Sequence, residues 1–132
     1  MKNKVIAFLR CVNTPYNNYF CGYVGVKDNS MLPKCFQNSG LEETVNGEIL
    51  LDDLIHVHKG IRYAGTFNCY NPVIPITDIP SDYYEYYYYG FDLGHDGDEK
   101  ICNNYQYAKA EVLSMKEQME KLIDRLCPST GD

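Results

Sequence analysis

No run in this chain approaches the roughly 20 apolar residues that a membrane-crossing helix needs. The opening MKNKVIAFLRC holds apolar residues only at 5–9 before Arg10, too short for a secretory h-region. The expectation is a cytoplasmic protein without membrane contact. Basic residues are also missing from a long window: none lies between Arg62 and Lys100, where Asp78, Asp82, Glu85, Asp92, Asp96, Asp98 and Glu99 all fall. Phosphate-backbone affinity comes mainly from Lys and Arg displacing counterions, so this window, with a net charge of -6, argues against direct nucleic-acid binding. Six cysteines are present, but no two form a CxxC or CxH pair, which excludes zinc-finger spacing and leaves mostly buried thiols as the expectation. Also absent are a GxSxG elbow, a GxxxxGK[ST] phosphate loop and a GxGxxG fingerprint.

What remains is one domain's worth of chain, 1–132, since two domains of half this length would each be marginal. KVIAFLRCV, residues 4–12, reads as a buried first strand, and YFCGYVGV, residues 19–26, as a second. In residues 48–67 the centre alternates, with Leu54, His56 and His58 on one face and Ile55 and Val57 on the other, before a turn at HKGI and a further strand at 61–67. NPVIPITDIPSD, with Pro72, Pro75 and Pro80, reads as an ordered loop, because proline removes a ladder donor. The aromatic run 83–93 reads as a strand with Tyr84, Tyr86, Tyr88 and Asp92 on one face and Tyr83, Tyr87, Tyr89 and Phe91 on the other. After Asn103 the period changes. Tyr105, Ala108, Val112, Met115, Met119, Leu122 and Leu126 recur at three- and four-residue steps, with Asn103 or Asn104 as N-cap and Pro128 as stop, which predicts a helix over about 103–127. The fold class is α+β, a mainly antiparallel sheet with a long C-terminal helix packed on one face.

All three histidines lie in two short segments, His56-Val57-His58 and Asp92-Leu93-Gly94-His95. Histidines at i and i+2 on a strand share a face, so His56 and His58 with His95 and Asp92 form a candidate Zn²⁺ set for a metal-dependent hydrolase. Without metal, His58 or His95 serves as general acid or base, with Asp92 fixing its tautomer. A binding site draws instead on Tyr86 and Tyr88 as a stacking platform. Lys59 and Arg62, flanking Gly60 beside Tyr63, then supply cations and a turn whose N–H groups receive an anion. The ligand-binding set is thus His58, Lys59, Arg62, Tyr63, Tyr86, Tyr88, Asp92 and His95.

CGYVGV at 21–26, VHKGIRYAG at 57–65 and YYGFDLGHDGD at 88–98, followed by a terminal helix, resemble a family of small tailed-phage and prophage proteins. That family carries a GYV strand, an HGGLTYS-like segment and a WWFGFDCAHAGD-like segment in the same order. Gly90, Phe91, Asp92, His95, Gly97 and Asp98 carry the third match, whereas Lys59 replaces the first glycine of the usual pair. The resemblance implies a phage protein working in the cytoplasm of the bacterial host, where proteins of this size often neutralise immunity. Three readings follow: capture of a small nucleotide-like immune signal by a protein expected to form a homo-oligomer and to need no cofactor; inhibition of a host defence protein through the acidic residues 78–99; and the metal-dependent hydrolase.

Overall fold

The computed structural model describes residues 5–16, 18–27, 54–66 and 73–126. Among them, five strands form one antiparallel sheet in the order β3-β5-β2-β1-β4. These are β1 (Val5–Asn13), β2 (Asn18–Val26), β3 (Tyr63–Thr66), β4 (Ile74–Pro75) and β5 (Tyr87–Asp92), followed by one helix, α1 (Tyr105–Leu126). The α+β architecture expected from the sequence is the one observed.

β1 and β2 are long β-branched and aromatic runs that pair over their full length, from Val5 opposite Val26 to Asn13 opposite Asn18. Alternation then sorts their side chains. Val5, Ala7, Leu9, Val24 and Val26, with Tyr89 and Phe91 of β5, face Ala108, Val112, Met115, Met119, Leu122 and Ile123 of the helix. Ile6, Phe8, Cys21, Tyr23 and Tyr88 face the other way, where Val73, Ile79, Tyr83 and Tyr86 cover them. The helix begins where its sequence says it should: the Asn104 side chain accepts from Tyr107 N–H at 3.0 Å and its carbonyl from Ala108 N–H at 3.0 Å, which makes Asn104 the N-cap.

Three glycines stand directly opposite aromatic residues on the neighbouring strand, Gly22 with Phe91, Gly25 with Tyr88 and Tyr23 with Gly90. Each ring lies over the glycine: a Cβ at Gly22 would come within 2.5 Å of Phe91, one at Gly90 within 2.8 Å of Tyr23, and one at Gly25 would run into Tyr88. The glycines are therefore seats for rings, and they let aromatic residues fill both faces of the sheet.

Three expectations need correction. Residues 54–60 are turn and irregular backbone rather than an alternating strand, because their polar groups pair with helix side chains and the chain reverses at Lys59 and Gly60, with φ of 57° and 84°. The aromatic run divides into a single 3-10 turn at Tyr83–Glu85, closed by Tyr86 N–H donating to the Tyr83 carbonyl at 3.2 Å, and the strand β5. The proline-rich segment contributes a two-residue edge strand as well as loop, and Pro75, opposite Phe8, tolerates that position because the edge asks for no further donor.

Candidate functional site

The two histidine-bearing segments do meet, and the residue that joins them is Asp98. The loop after β5 turns back on itself through Asp98 N–H to the His95 carbonyl at 3.0 Å. This brings Asp98 Oδ2 to the His95 backbone N–H at 3.2 Å and Oδ1 to His58 Nε2 at 2.8 Å. Asp98 is 2% exposed, the one buried charged residue among those described. Burial alone would raise its carboxyl, but hydrogen bonds from His58 and the His95 N–H, with the charges of His58 and Lys59, hold it below the ordinary carboxylate range.

His58 is held from both sides. Its Nδ1 lies 3.1 Å from the Tyr107 hydroxyl, and the two rings meet edge to face at 5.8 Å. Burial, then Glu111 and Asp98, raise the Tyr107 hydroxyl. The segment carrying His58 is fastened to the helix by side chains two turns apart. Gln118 accepts from His56 N–H at 2.7 Å and donates to the His56 carbonyl at 2.9 Å, while Glu111 accepts from His58 N–H at 2.7 Å. Positions seven apart lie on one helix face, so the pair grips the segment at both His56 and His58. Ile55 and Ile61, 1% and 2% exposed, anchor its ends in the core.

Lys59 occupies the left-handed region at φ 57°, where a non-glycine residue costs about 1 kcal/mol. Its ammonium donates to the Asp96 carbonyl at 2.8 Å and lies 3.9 Å from Asp98 Oδ1, which ties the turn to the Asp92–Asp98 loop. The N–H groups of His58, Gly60 and Arg62 are used internally, by Glu111, by the Val57 carbonyl and by the Gly90 carbonyl. The expected anion-receiving turn thus has little left to offer. Arg62 is exposed at this turn, and the half-buried Tyr63 packs its ring on Tyr23 at 5.5 Å and bonds its hydroxyl to the Thr66 carbonyl. Tyr86 and Tyr88 are 1% and 0% exposed, with the Tyr88 hydroxyl donating to the Tyr83 carbonyl at 2.5 Å, so neither presents an open face for stacking. His56 is exposed and shares no cluster with the other two histidines; among the described residues no group of three or more His, Cys, Asp or Glu side chains is arranged to hold a metal ion.

A second cluster lies on the face of the sheet opposite the helix. Register places Arg10 opposite Cys21 and Cys21 opposite Asp92, a row across β1, β2 and β5. Asp92 Oδ1 caps the turn by accepting from Gly94 N–H at 3.0 Å, and it lies 3.0 Å from His95 Nε2 without hydrogen-bond alignment. Burial, followed by the charge of Asp92, pushes the Cys21 thiol up to about 11, and the Tyr23 hydroxyl bonds to it. Nothing in the sequence pairs Cys21 with Asp92, about 70 residues away; only the register of β2 on β5 does so. Arg10, Cys21, Asp98, Tyr107, Glu111 and Gln118 are therefore additions to the sequence-derived set. Cys21 and Cys102 are buried and Cys11 is half-buried, while Cys35, Cys69 and Cys127 lie outside the described residues.

The fold and site thus define a small antiparallel α+β protein with two His–Asp pairs at one end of its sheet. Comparison with family models, with curated proteins and with solved structures finds no match in any of the three.

Proposed function

We propose that this protein is a non-catalytic binding module that captures a small nucleotide-like ligand, in the setting of phage counter-defence. The observation that carries the binding role is the mutual satisfaction of His58 and Asp98: both ring nitrogens and both carboxylate oxygens have partners within 3.2 Å. With both nitrogens bonded, His58 has no vacant nitrogen to offer a metal ion. A fully bonded pair instead fixes two loops as one rigid surface, which lowers the entropic cost of binding. Half-buried Asp92 and His95 and exposed Arg62 supply polar contacts at that end of the sheet. Counter-defence and the host-cell setting rest on the resemblance of GFDLGHDGD to the phage family.

The placement of acidic side chains favours this reading over inhibition of a defence protein by an acidic face. Asp78, Asp82 and Glu85 precede β5, whereas Asp92 ends it and Asp96 and Glu99 follow; the six residues of β5 span about 20 Å, so the two groups occupy opposite ends of the strand. Lys27 further offsets the first group through its ion pair with Asp82 at 3.4 Å.

The test is a thermal-shift screen with nucleoside mono- and diphosphates, cyclic dinucleotides and ADP-ribose derivatives, followed by chromatography of the recovered ligand. Binding at a hundredfold excess over Kd stabilises by about 2.7 kcal/mol. A clear rise in Tm with the ligand recovered intact is expected. A flat response to the whole panel, or a cleaved ligand, overturns the proposal.

A further inference from the structure

Among the described residues three buried side-chain nitrogens and oxygens lack an aligned hydrogen bond, and two of them lie at the row on the helix-free face: Arg10 Nε within it, and His95 Nε2 beside it at 3.0 Å from Asp92 Oδ1. The coincidence is informative because a buried donor left unpaired carries its desolvation cost, so native proteins pair such groups with protein, water or ligand. Arg10, Asp92 and His95 are each half-buried as residues, so other parts of these side chains reach solvent while Arg10 Nε and His95 Nε2 are covered.

The charge order in the row limits what it can receive. Arg10 on β1 is a permanent cation and Asp92 on β5 a carboxylate, with Cys21 on β2 between them. At one strand spacing of about 4.8 Å per step, the outer two are roughly 10 Å apart at the backbone. Cys21, buried and with its thiol pushed up to about 11, is an uncharged floor at neutral pH. Tyr23, 7% exposed, and Tyr19 flank that floor. A bare phosphate would meet Arg10 but also the Asp92 carboxylate, whereas a flat ligand with acceptors at one end and N–H donors at the other satisfies both.

We infer that the row Arg10–Cys21–Asp92–His95 is a subsite for a nucleobase edge, best filled by guanine. Arg10 donates to the acceptor pair O6 and N7, the pairing that guanidinium geometry favours. Asp92 accepts from the N1–H and N2–H₂ donors, which adenine does not present together. His95, with Nε2 3.0 Å from Asp92 Oδ1, stands beside that carboxylate. The assignment rests on the nucleotide-capture reading and gives it a base preference and an address on the face opposite His58.

Isothermal titration of the full chain with GMP, AMP and inorganic phosphate tests it, on the wild type and on Arg10→Gln, Arg10→Lys and Asp92→Asn, each first checked by circular dichroism for an unchanged fold. GMP is expected to bind at least tenfold more tightly than AMP, with inorganic phosphate undetectable. Loss of a hydrogen-bonded charge predicts a tenfold to hundredfold weaker GMP affinity in Arg10→Gln and Asp92→Asn, on the order of what one such contact supplies. Arg10→Lys keeps the charge and loses the planar fork, so it should weaken GMP as well. GMP binding that survives all three substitutions overturns this site while leaving nucleotide capture standing. Equal affinity for phosphate and GMP makes the row a plain anion site and overturns the base assignment. Binding of none of the three overturns the guanine assignment, and capture then depends on the wider nucleotide panel.

Discussion

Replacing Asp98 by asparagine removes the charge that both histidine segments share while keeping nearly the same volume. In the wild type the carboxylate receives His58 Nε2 at 2.8 Å and His95 N–H at 3.2 Å, with Lys59 Nζ at 3.9 Å, and only 2% of the residue is exposed. Asparagine can still accept one of these bonds, but its amide nitrogen replaces an acceptor with a donor. Breaking one partner of a buried charge pair costs about 3–5 kcal/mol; the surviving hydrogen bond and the partial exposure of His58 place Asp98→Asn nearer about 2–3 kcal/mol. At this chain length that lowers Tm by roughly 6–15 °C. The pH dependence gives an independent check. The Asp98 carboxyl titrates below the ordinary carboxylate range in the folded protein, where the unfolded value is 3.8. Its contribution to stability is therefore complete above that unfolded value and is lost as pH falls through the lower folded value. Urea unfolding followed by circular dichroism from pH 7 to pH 2 should show the wild type losing stability in acid and the variant starting lower with a shallower acid limb. Equal stability at pH 7, or parallel acid limbs, would refute the account of Asp98 as the joint between the two loops.

The ring-bearing glycines predict that Gly25→Ala lowers stability by about 2–4 kcal/mol, because its Cβ meets the Tyr88 ring, which is 0% exposed and has no room to retreat; guanidinium unfolding measures it, and a neutral effect would contradict the packing. Lys59→Gly should leave stability within about 1 kcal/mol of wild type, since relief of the left-handed strain offsets loss of the contacts to Asp96 and Asp98, and the same unfolding curves decide the sign. Gln118→Ala frees both backbone groups of His56 and should speed hydrogen exchange across residues 55–58 at least tenfold, whereas unchanged exchange would remove the helix clamp from the account. Burial holds the hydroxyls of Tyr23, Tyr88 and Tyr89 well above the usual tyrosine range. Their raised folded values stabilise the protein below the unfolded value of 10, and this is lost as pH rises beyond it, so ultraviolet titration should show these rings ionising only together with alkaline unfolding.

Much of the architecture was legible because it depends on local periodicity. The helix stripe, its Asn104 cap and the two long strands each repeat a pattern within a dozen residues or so. The turn at Tyr83–Glu85 was hidden by β-favouring tyrosines, whose propensity the closing hydrogen bond from Tyr86 overrides. His56 and His58 alternate as a strand would, yet their backbone partners are Gln118 and Glu111, more than 50 residues away, and no local signal announces them. The site was legible only as two neighbourhoods. That His58 takes Asp98 while His95 abuts Asp92 depends on how the loop after β5 folds back, and the Arg10–Cys21–Asp92 row depends on strand register, which a one-residue slip would abolish.

The central claim is capture without chemistry, and equilibrium dialysis against the nucleotide that gives the largest thermal shift tests it most directly. The account predicts saturable binding with the nucleotide recovered chemically unchanged after prolonged incubation. Turnover of the bound nucleotide, or retention no greater than that of an unrelated protein, would contradict it.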